Sequence, residues 1–232
     1  MIPVLVIPIL ARPELLWKML RSIDTVVGEV IVIDNGDIIH EVPDGLPDFT
    51  HVWPGYNMGV SASWNHGIKM RPTLPWWAIA GFDIEFAPGD LDRLAEHMEA
   101  EGGLALLGGF NAFGLDRDTV KRVGLFDENF VPGYYEDNDY DYRARLAEVN
   151  YTALPAGLRH EPSSTLRSGR DYQRKNVYTF ARNREYFREK WGGMPCGEVF
   201  RTPFDEGGDP RAWSLDVTRL ADQNWIREVE EQ

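Results

Sequence analysis

Two short apolar runs separated by an amphipathic segment occupy the first 34 residues, and this pattern limits the folds that the chain can adopt. Residues 4–9 are mostly β-branched, which is typical of a strand buried on both faces. After Pro13 the apolar residues recur at helical spacing, and residues 29–33 form a second buried run that ends at Asp34. The order strand, helix, strand predicts an α/β fold with a central, mostly parallel sheet flanked by helices. Ligands of such sheets bind at the carboxyl ends of the strands.

The same alternation continues along the chain. Further apolar runs predict single strands at residues 49–53, 76–80, 104–113 and 151–154. Helical spacing predicts further helices within residues 55–68, 90–98, 116–123, 136–147 and 171–191, and Gly192 and Gly193 end the last of them. We therefore predict one domain at residues 1–191. Residues 192–232 are predicted to be a C-terminal helical extension that wraps the domain or forms a homodimer contact.

The charge distribution bears on the class of ligand. A net charge of −13 argues against a protein that binds nucleic acid through its overall field, because phosphate binding needs a basic surface. Residues 159–190 differ from the rest, with nine Lys and Arg against four Asp and Glu. An anionic small molecule is the ligand that this stretch suits.

The single cysteine and the hydropathy pattern bear on the compartment. Cys196 has no partner for an intrachain disulfide, so a reducing cytoplasm suits the chain. The apolar N-terminal residues lack a basic leader, and no stretch is long and apolar enough to span a bilayer. The sequence therefore predicts a soluble, cytoplasmic protein without a membrane span.

Acidic side chains follow two of the predicted strands. Asp34 ends the second strand, and Asp83 and Glu85 follow the strand at residues 76–80. Asp83 and Glu85 are two residues apart, so in extended backbone both point to one side and can share a cation. His160 also follows a predicted strand, although a lone histidine is usually structural.

The densest group of acids lies where a helix is predicted to begin. It comprises Glu136, Asp137, Asp139 and Asp141. The helix dipole favours each charge there by about 0.3–1 kcal/mol, and a solvated acidic surface is the ordinary explanation of such a group. Tyr134 and Tyr135 favour another interpretation, a sugar-binding cleft in which a desolvated carboxylate of raised pKa acts as a general base.

In this order the segments resemble the family 2 glycosyltransferases with the GT-A (Rossmann-like) fold, most closely the rhamnosyltransferase-like branch. The similar segments are VLVIPILARPELLWKMLRSI, VIVIDNG, NMGVSASWNHGI, WAIAGFDIEFAPGDLDRL, GLFDENFVPGYYEDNDYDYR, and RHEPSST with ARNREYFREKWG. The resemblance implies inverting transfer of a sugar from a UDP- or dTDP-linked donor to an acceptor hydroxyl. The acceptor would be a glycan, a lipid-linked glycan or a protein, and the cofactor a divalent cation, Mn²⁺ or Mg²⁺.

The resemblance also implies contacts to the donor. Asp34 would accept a hydrogen bond from the nucleotide base, and Pro8 would line the pocket of that base. The remaining donor contacts would come from Arg12, Asn57, Gly59, Asn65 and Asp83. For Gly59, tight packing of a helix is an equally good explanation.

The resemblance further implies a metal site and a general base. Asp83, Glu85 and His160 would bind the cation, and Gly81 departs from the family pattern because another acid often stands there. Asp137 of the Glu136-Asp137 pair would be the catalytic base. Tyr134 and Tyr135 would line the acceptor or sugar cleft.

Three alternatives stay open at the level of sequence. A nucleotidyltransferase would also hold a metal with acids at strand ends, but it should carry a glycine-rich phosphate loop near the first strand, and neither GxGxxG nor GxxxxGK[ST] occurs. A non-catalytic module that binds a sugar nucleotide or a glycan would explain Gly81. Glycosylation of a modified nucleic acid is disfavoured by the net charge.

Overall fold

The computed structural model describes residues 1–161 and 170–207; the side chains of residues 170–176 and of Tyr178 lie outside that description. The chain divides into two compact units. The first contains residues 1–57, 74–117 and 150–173, and the second contains residues 58–73, 118–149 and 174–232. The predicted extension at residues 192–232 begins inside the second unit, and residues 208–232 lie outside the described residues. Its role as a wrap or as a homodimer contact stays a prediction.

The first unit is built on a mostly parallel sheet. Its strands are β1 Leu5–Ile9, β2 Val30–Asp34, β3 Thr50–Val52, β4 Trp76–Ala80, β5 Ile84–Glu85, β6 Leu104–Leu107, β7 Ala112–Asp116, β8 Tyr151–Leu154 and β9 Arg159–His160. Among the described residues, seven of these strands form the main sheet in the order β3-β2-β1-β4-β7-β6-β8, and β5 pairs with β9 in a separate ribbon. Strand β7 runs antiparallel to β4 and β6, and the other pairs of the main sheet are parallel. The predicted fold class is confirmed.

The helices begin and end close to where periodicity places them. They are α1 Pro13–Arg21, α2 Val60–Met70, α3 Asp90–Ala100, α4 Arg117–Val123, α5 Glu136–Leu146 and α6 Arg170–Trp191. Helices α1 and α3 pack on one face of the sheet, where Leu16 and Leu91 join the cluster that contains Ile7 and Ala78. This burial of apolar area fixes the strands and so positions the loops at their carboxyl ends.

The single strand predicted at residues 104–113 is wrong in number. Residues 104–113 were expected to hold a single strand, but they contain β6 and the start of β7, with a short 3₁₀ turn at Gly109–Asn111 between them. Gly108 and Gly109 have φ angles of 71° and 72°, a conformation that glycine adopts without steric cost, and they reverse the chain there. The glycines inside an apolar run were therefore the sign of a turn.

The second unit buries charge beneath α5 and α6. Arg143 donates to Asp139 at 2.9 Å, and Lys190 Nζ lies 2.7 Å from a carboxylate oxygen of both Asp139 and Asp127. Trp191 Nε1 donates to Asp139 at 2.8 Å. All four charged side chains are buried, so the two carboxylates and the two cations neutralise each other without help from water.

This buried network decides which face of α5 is buried. Asp139 and Arg143 are buried, whereas Tyr142 and Leu146 are half-buried. The reason is tertiary. Lys190 of the distant helix α6 compensates Asp139, which a helical pattern within α5 cannot show.

Within the part of the chain that the structure describes, none of the helices combines the length and the apolar character needed to cross a bilayer.

Candidate functional site

A polar cleft lies beside the carboxyl ends of the central strands. Ile9 of β1 lies in register with Asp34 of β2, and β4 runs parallel to β1, so these strands end at one edge of the sheet. Asp83 follows β4 there. The cleft, called here the strand-end cleft, has a volume of about 280 Å³ and is lined by Leu15, Lys18, Asp83, Ile84, Glu85, Arg159, His160 and Glu161.

The ribbon of β5 and β9 brings Asp83 and His160 together. Ile84 pairs with His160, and the backbone N–H of Glu161 donates to the carbonyl of Asp83 at 2.9 Å. Asp83 Oδ2 then lies 3.5 Å from His160 Nε2. A carboxylate oxygen and an imidazole nitrogen so placed are suitable ligands for a Mn²⁺ ion.

Glu85, the third predicted metal ligand, lies near Asp83 and His160 but does not complete a metal site made of protein ligands alone. Glu85 lines the same cleft and is exposed. Within residues 1–161 and 170–207, no group of three or more His, Cys, Asp or Glu side chains is placed to hold a metal ion. Divalent cations that assist phosphate chemistry are commonly held by one or two protein carboxylates plus phosphate and water oxygens. Asp83 supplies such a carboxylate, and His160 would add an imidazole nitrogen to that set.

Gly81 leaves room beside the Asp83 carboxylate. A Cβ atom at Gly81 would lie 3.0 Å from Asp83 Oδ1, so any larger residue would press on that oxygen. The N–H of Gly81 donates to the carbonyl of Asn111 at 2.8 Å, which fixes the backbone at this point. The absence of a side chain at Gly81 therefore keeps the Asp83 carboxylate uncrowded.

Asp34 lies at the predicted strand end, but its carboxylate accepts hydrogen bonds from the turn that follows it. The side chain is fully buried, and its oxygens accept hydrogen bonds from the backbone N–H groups of Gly36, Ile38 and Ile39 at 2.9–3.0 Å. His51 Nε2 lies 3.3 Å from Asp34 Oδ2. In this conformation Asp34 shapes the loop after β2, and because its side chain is fully buried, a direct hydrogen bond to a nucleotide base would require the loop to move.

Arg12 and Pro8 lie on either side of the end of β1. Arg12 has a left-handed backbone at the start of α1, and its guanidinium donates to Glu14 at 2.9 Å and to Glu161 at 3.0 Å. Pro8 is half-buried in β1, in register with Ile33. Arg12 thus ties the first helix to the segment after β9, beside the strand-end cleft.

The residues predicted around the start of α2 have mainly packing roles. The amide of Asn65 is fully buried; it donates to the Phe126 carbonyl and accepts from the Phe126 N–H, both at 2.9 Å, and it donates to Glu128 at 3.0 Å. A Cβ at Gly59 would lie 3.0 Å from the Pro132 carbonyl oxygen, so tight packing explains this glycine. Asn57 is exposed. A donor contact by Asn65 stays a prediction, and it would require this amide to give up one of its contacts within the second unit.

A second candidate surface lies in the second unit, at the start of α5. This acidic–aromatic groove has a volume of about 410 Å³ and is lined by Tyr134, Tyr135, Glu136, Asp137, Asn138, Phe180, Met194 and Pro195. The rings of Tyr134 and Phe180 stand nearly perpendicular, with centroids 5.3 Å apart. The structure thus brings the predicted tyrosines and the predicted acid pair into one groove, of a size that suits a small ligand.

The loop before α5 is held in a strained conformation by Asn183. Tyr134 and Tyr135 have φ angles of 80° and 71°, which are costly for residues with large side chains. The buried amide of Asn183 donates to the carbonyls of Gly133 at 2.8 Å and Tyr134 at 3.3 Å. Strain of this kind is common at functional sites, because the surrounding structure must fix a particular side-chain direction.

Burial perturbs both acids of the groove. Glu136 is buried, and burial together with the charge of Asp137 raises its pKa to about 8. Burial also raises the pKa of Asp137, although the N–H of Asn138, which donates to Asp137 Oδ1 at 2.8 Å, opposes the shift. Acids with raised pKa values in a groove are candidates for proton transfer near neutral pH.

Sequence reasoning missed several contributors to these surfaces. Lys18 of α1 lines the strand-end cleft, and Phe180 and Met194 line the acidic–aromatic groove. Asn183 gave no local signal, because its partners lie about fifty residues earlier in the chain. The basic residues expected to hold an anion are only partly accounted for: Arg159 lines the strand-end cleft, and residues 162–169 lie outside the described part.

Comparison with known proteins gives a family and a fold. The sequence profile described as "Glycosyl transferase family 2" matches residues 4–206. A galactofuranosyl glycosyltransferase of Leishmania donovani is 34% identical over 85 residues, which is 35% of this chain and 19% of that protein. The chain therefore spans about a fifth of the length of this relative.

Solved structures of low sequence identity share the fold. S. aureus TarS 1–349 in complex with UDP-GlcNAc superposes with a TM-score of 0.51 at 14% identity, covering 66% of this chain and 56% of that one. A mutant of Drosophila β1,4-galactosyltransferase 7 in complex with manganese, UDP-Gal and xylobiose superposes with a TM-score of 0.50 at 13% identity, covering 71% and 72%.

Proposed function

The chain belongs to glycosyl transferase family 2 and is a glycosyltransferase, and from that premise we propose that it moves a sugar from a nucleoside diphosphate to an acceptor hydroxyl with inversion at the anomeric carbon. The observation that carries the proposal is the acidic–aromatic groove, where Glu136 and Asp137 are desolvated beside two tyrosines. Tyrosine rings offer apolar faces to the C–H groups of a sugar, and a desolvated carboxylate can take a proton from a hydroxyl.

The strand-end cleft is the proposed place of the donor's diphosphate. Lys18 and Arg159 bring positive charge to a cleft that also contains Asp83 and His160. Loops at the carboxyl ends of parallel strands are the usual nucleotide sites of α/β sheets. In this proposal Pro8 and the turn held by Asp34 contact the nucleotide base. Arg12 and Asn57 contact other parts of the donor.

A divalent cation, Mn²⁺ or Mg²⁺, is the proposed cofactor. Asp83 and His160 would hold it, with Glu85 as a further ligand. When bound, such an ion supplies charge that stabilises the departing diphosphate by several kcal/mol. The supporting observations are the 3.5 Å approach of Asp83 and His160 and the space that Gly81 leaves beside the carboxylate.

Asp137 is the proposed general base. It takes the proton of the acceptor hydroxyl while the oxygen's electron pair forms a bond to the anomeric carbon, and the bond from that carbon to the diphosphate oxygen breaks. Displacement in one step from the opposite side inverts the anomeric configuration. Base catalysis of this kind is typically worth about 10²–10⁴ in rate.

The identity of the donor is part of the proposal. We propose membership in the rhamnosyltransferase-like branch, which favours dTDP-rhamnose. The solved structures that share the fold were obtained with UDP-GlcNAc and UDP-Gal, which makes these the other donors to test.

A thermal-shift screen with the three donors tests donor binding. In the presence of Mn²⁺ one donor should raise the melting temperature by several degrees, since a ligand at 100 times its Kd stabilises the native state by about 2.7 kcal/mol. EDTA and Asp83→Ala should each remove most of that shift. Asp44→Ala, which removes an exposed acid of the same unit, is the matched control and should retain it.

Turnover separates the proposal from its alternatives. A transferase releases free nucleoside diphosphate from the donor that stabilises it, by transfer or by slow hydrolysis. Binding without any release of diphosphate would identify a non-catalytic module, and release of pyrophosphate from a nucleoside triphosphate would identify a nucleotidyltransferase. No shift with any donor, with or without Mn²⁺, would contradict the donor assignment.

A further inference from the structure

Glu136 differs from the other described acids of the second unit in having a buried oxygen without a hydrogen-bond partner. Glu136 is 7% exposed, and its Oε2 atom is buried with no hydrogen-bond partner among the described residues. The same side chain lines the acidic–aromatic groove next to Asp137. Buried polar atoms are nearly always paired, so an unpaired oxygen on a side chain that lines a groove points to a partner from outside the protein.

None of the described side chains that line the groove beside Glu136 is a cation. The ionisable residues that line it are Tyr134, Tyr135, Glu136 and Asp137. Helix α6 contributes the uncharged Phe180, and the turn after α6 contributes the uncharged Met194 and Pro195. The buried Lys190 of α6 is already paired at 2.7 Å with Asp127 and with Asp139.

Under these conditions the neutral form of Glu136 is the stable one. A buried carboxylate with no counter-charge usually binds a proton instead of staying ionised. Burial and the neighbouring charge of Asp137 raise the pKa of Glu136 to about 8. At neutral pH the side chain is then mostly a carboxylic acid, which donates one hydrogen bond, whereas a carboxylate only accepts.

We propose that Glu136 acts as a neutral acid that donates a hydrogen bond from Oε2 to an oxygen of the acceptor, while Asp137 takes the proton of the attacking hydroxyl. This division of roles rests on the proposed transferase function. Glu136 then donates a hydrogen bond to one oxygen of the acceptor, and Asp137 accepts a hydrogen bond from a second, neighbouring oxygen.

The arrangement identifies the class of acceptor. A sugar ring carries neighbouring oxygens next to an apolar face of C–H groups. Tyr134 and Phe180 are 37% and 42% exposed, and their rings can pack against that apolar face. A serine or threonine side chain of a protein carries a single oxygen. The acceptor is therefore a carbohydrate, bound through adjacent ring substituents.

Infrared spectroscopy of the intact protein tests the protonation state without any turnover. Wild type at pH 7 should show a protonated-carboxyl C=O band that is absent from Glu136→Gln and that disappears from wild type between pH 7 and pH 9. Absence of that band at pH 7, or its persistence in Glu136→Gln, overturns the inference. This measurement stands even if the enzyme turns over none of the donors, so it distinguishes failure of this inference from failure of the proposed function.

The pH profile of diphosphate release tests the role of the proton. Wild type should lose activity as the pH rises through about 8, because Glu136 ionises. Glu136→Gln keeps a donor of the same shape, so it should retain at least a third of the wild-type rate at pH 7 and lack the alkaline fall. Glu136→Leu should lose 30-fold or more. Equal losses in Glu136→Gln and Glu136→Leu would show that a carboxylate is required and would overturn the inference.

Discussion

One turn of α5 buries its acids in two different ways. Asp139 is surrounded by cations: although burial opposes ionisation, Lys190 and Arg143 hold its pKa below the usual range. Glu136 is buried and Asp137 is half-buried at the start of the same helix, no cation is among the described residues that line their groove, and burial raises the pKa of both. The pKa values of carboxylic acids within four positions of each other are thus shifted in opposite directions by what lies across from them.

The difference separates a structural acid from a functional one. Asp139 has two cations and the indole N–H of Trp191 around it, so it has no oxygen to offer a ligand, and its charge holds α5 to α6. Glu136 lines a groove and has a buried oxygen for which the described residues supply no partner. Burial alone does not make an acid a candidate for function; burial without a facing cation does.

The largest effect is expected for Asp137→Asn, which keeps the shape of the side chain and removes the base. We expect the rate of sugar transfer to fall by about 10²–10⁴, while donor binding in the thermal-shift assay is retained. Asp118→Asn, which removes an exposed acid of α4, is the control and should leave the rate unchanged. A loss of less than tenfold in Asp137→Asn would show that another group is the base.

Lys190→Met tests whether the buried charges around Asp139 stabilise the fold. Removing this cation leaves two buried carboxylates, Asp127 and Asp139, with too little positive charge, and breaking a buried ion pair typically costs about 3–5 kcal/mol. Denaturant unfolding should show a loss of that size. Arg188→Met, an exposed position of the same helix, should change the free energy of unfolding by less than about 0.5 kcal/mol.

A loss of under 1 kcal/mol in Lys190→Met would contradict the network as described. It would mean that water or protonation of one carboxylate replaces the cation at little cost.

Glu136→Gln should stabilise the protein at alkaline pH. The pKa of Glu136 is about 8 in the folded protein against 4.5 for the unperturbed group, so the folded state binds the proton more tightly. Wild-type stability therefore falls as the pH rises from about 4.5 to 8, and glutamine removes that penalty. The variant should be more stable than wild type by about 2–4 kcal/mol at pH 9 and nearly equal to it at pH 5.

Thermal unfolding at the two pH values checks this prediction. Glu101→Gln, an exposed position at the end of α3, is the matched control and should leave the difference between pH 5 and pH 9 as it is in wild type. A Glu136→Gln protein that is less stable than wild type at pH 9 would mean that the carboxylate has a partner in solution.

The fold was predictable because its signals are local. Runs of β-branched residues and helical spacing indicate each strand and helix from the residues of that element alone, and the structure reproduces β4 at Trp76–Ala80 as predicted. The reversal at Gly108 and Gly109 was missed because an apolar run on both sides of the turn hides it.

The site was predictable in its residue types and less so in its contacts. Tyr134, Tyr135, Glu136 and Asp137 do share a groove, since adjacent residues at a helix start cannot lie far apart. Asp34 could not be assigned from sequence, because its oxygens are taken by N–H groups of a loop whose closure is a tertiary event.

The smallest effect is expected for Arg145→Met, which sharpens the comparison within α5. Asp141 and Arg145 form an ion pair at 2.7 Å with the same four-residue spacing as Asp139 and Arg143, but the Arg145 side chain is 46% exposed. Exposed pairs typically contribute about 0–1 kcal/mol, because water screens the charges and both side chains lose rotamer freedom. Arg143→Met, by contrast, also leaves the carbonyls of Val123 and Leu125 without their donors and should cost about 3 kcal/mol or more. Denaturant unfolding of the two variants side by side measures the contrast, and equal losses would show that the environment of an acid in this helix does not decide its energetic role.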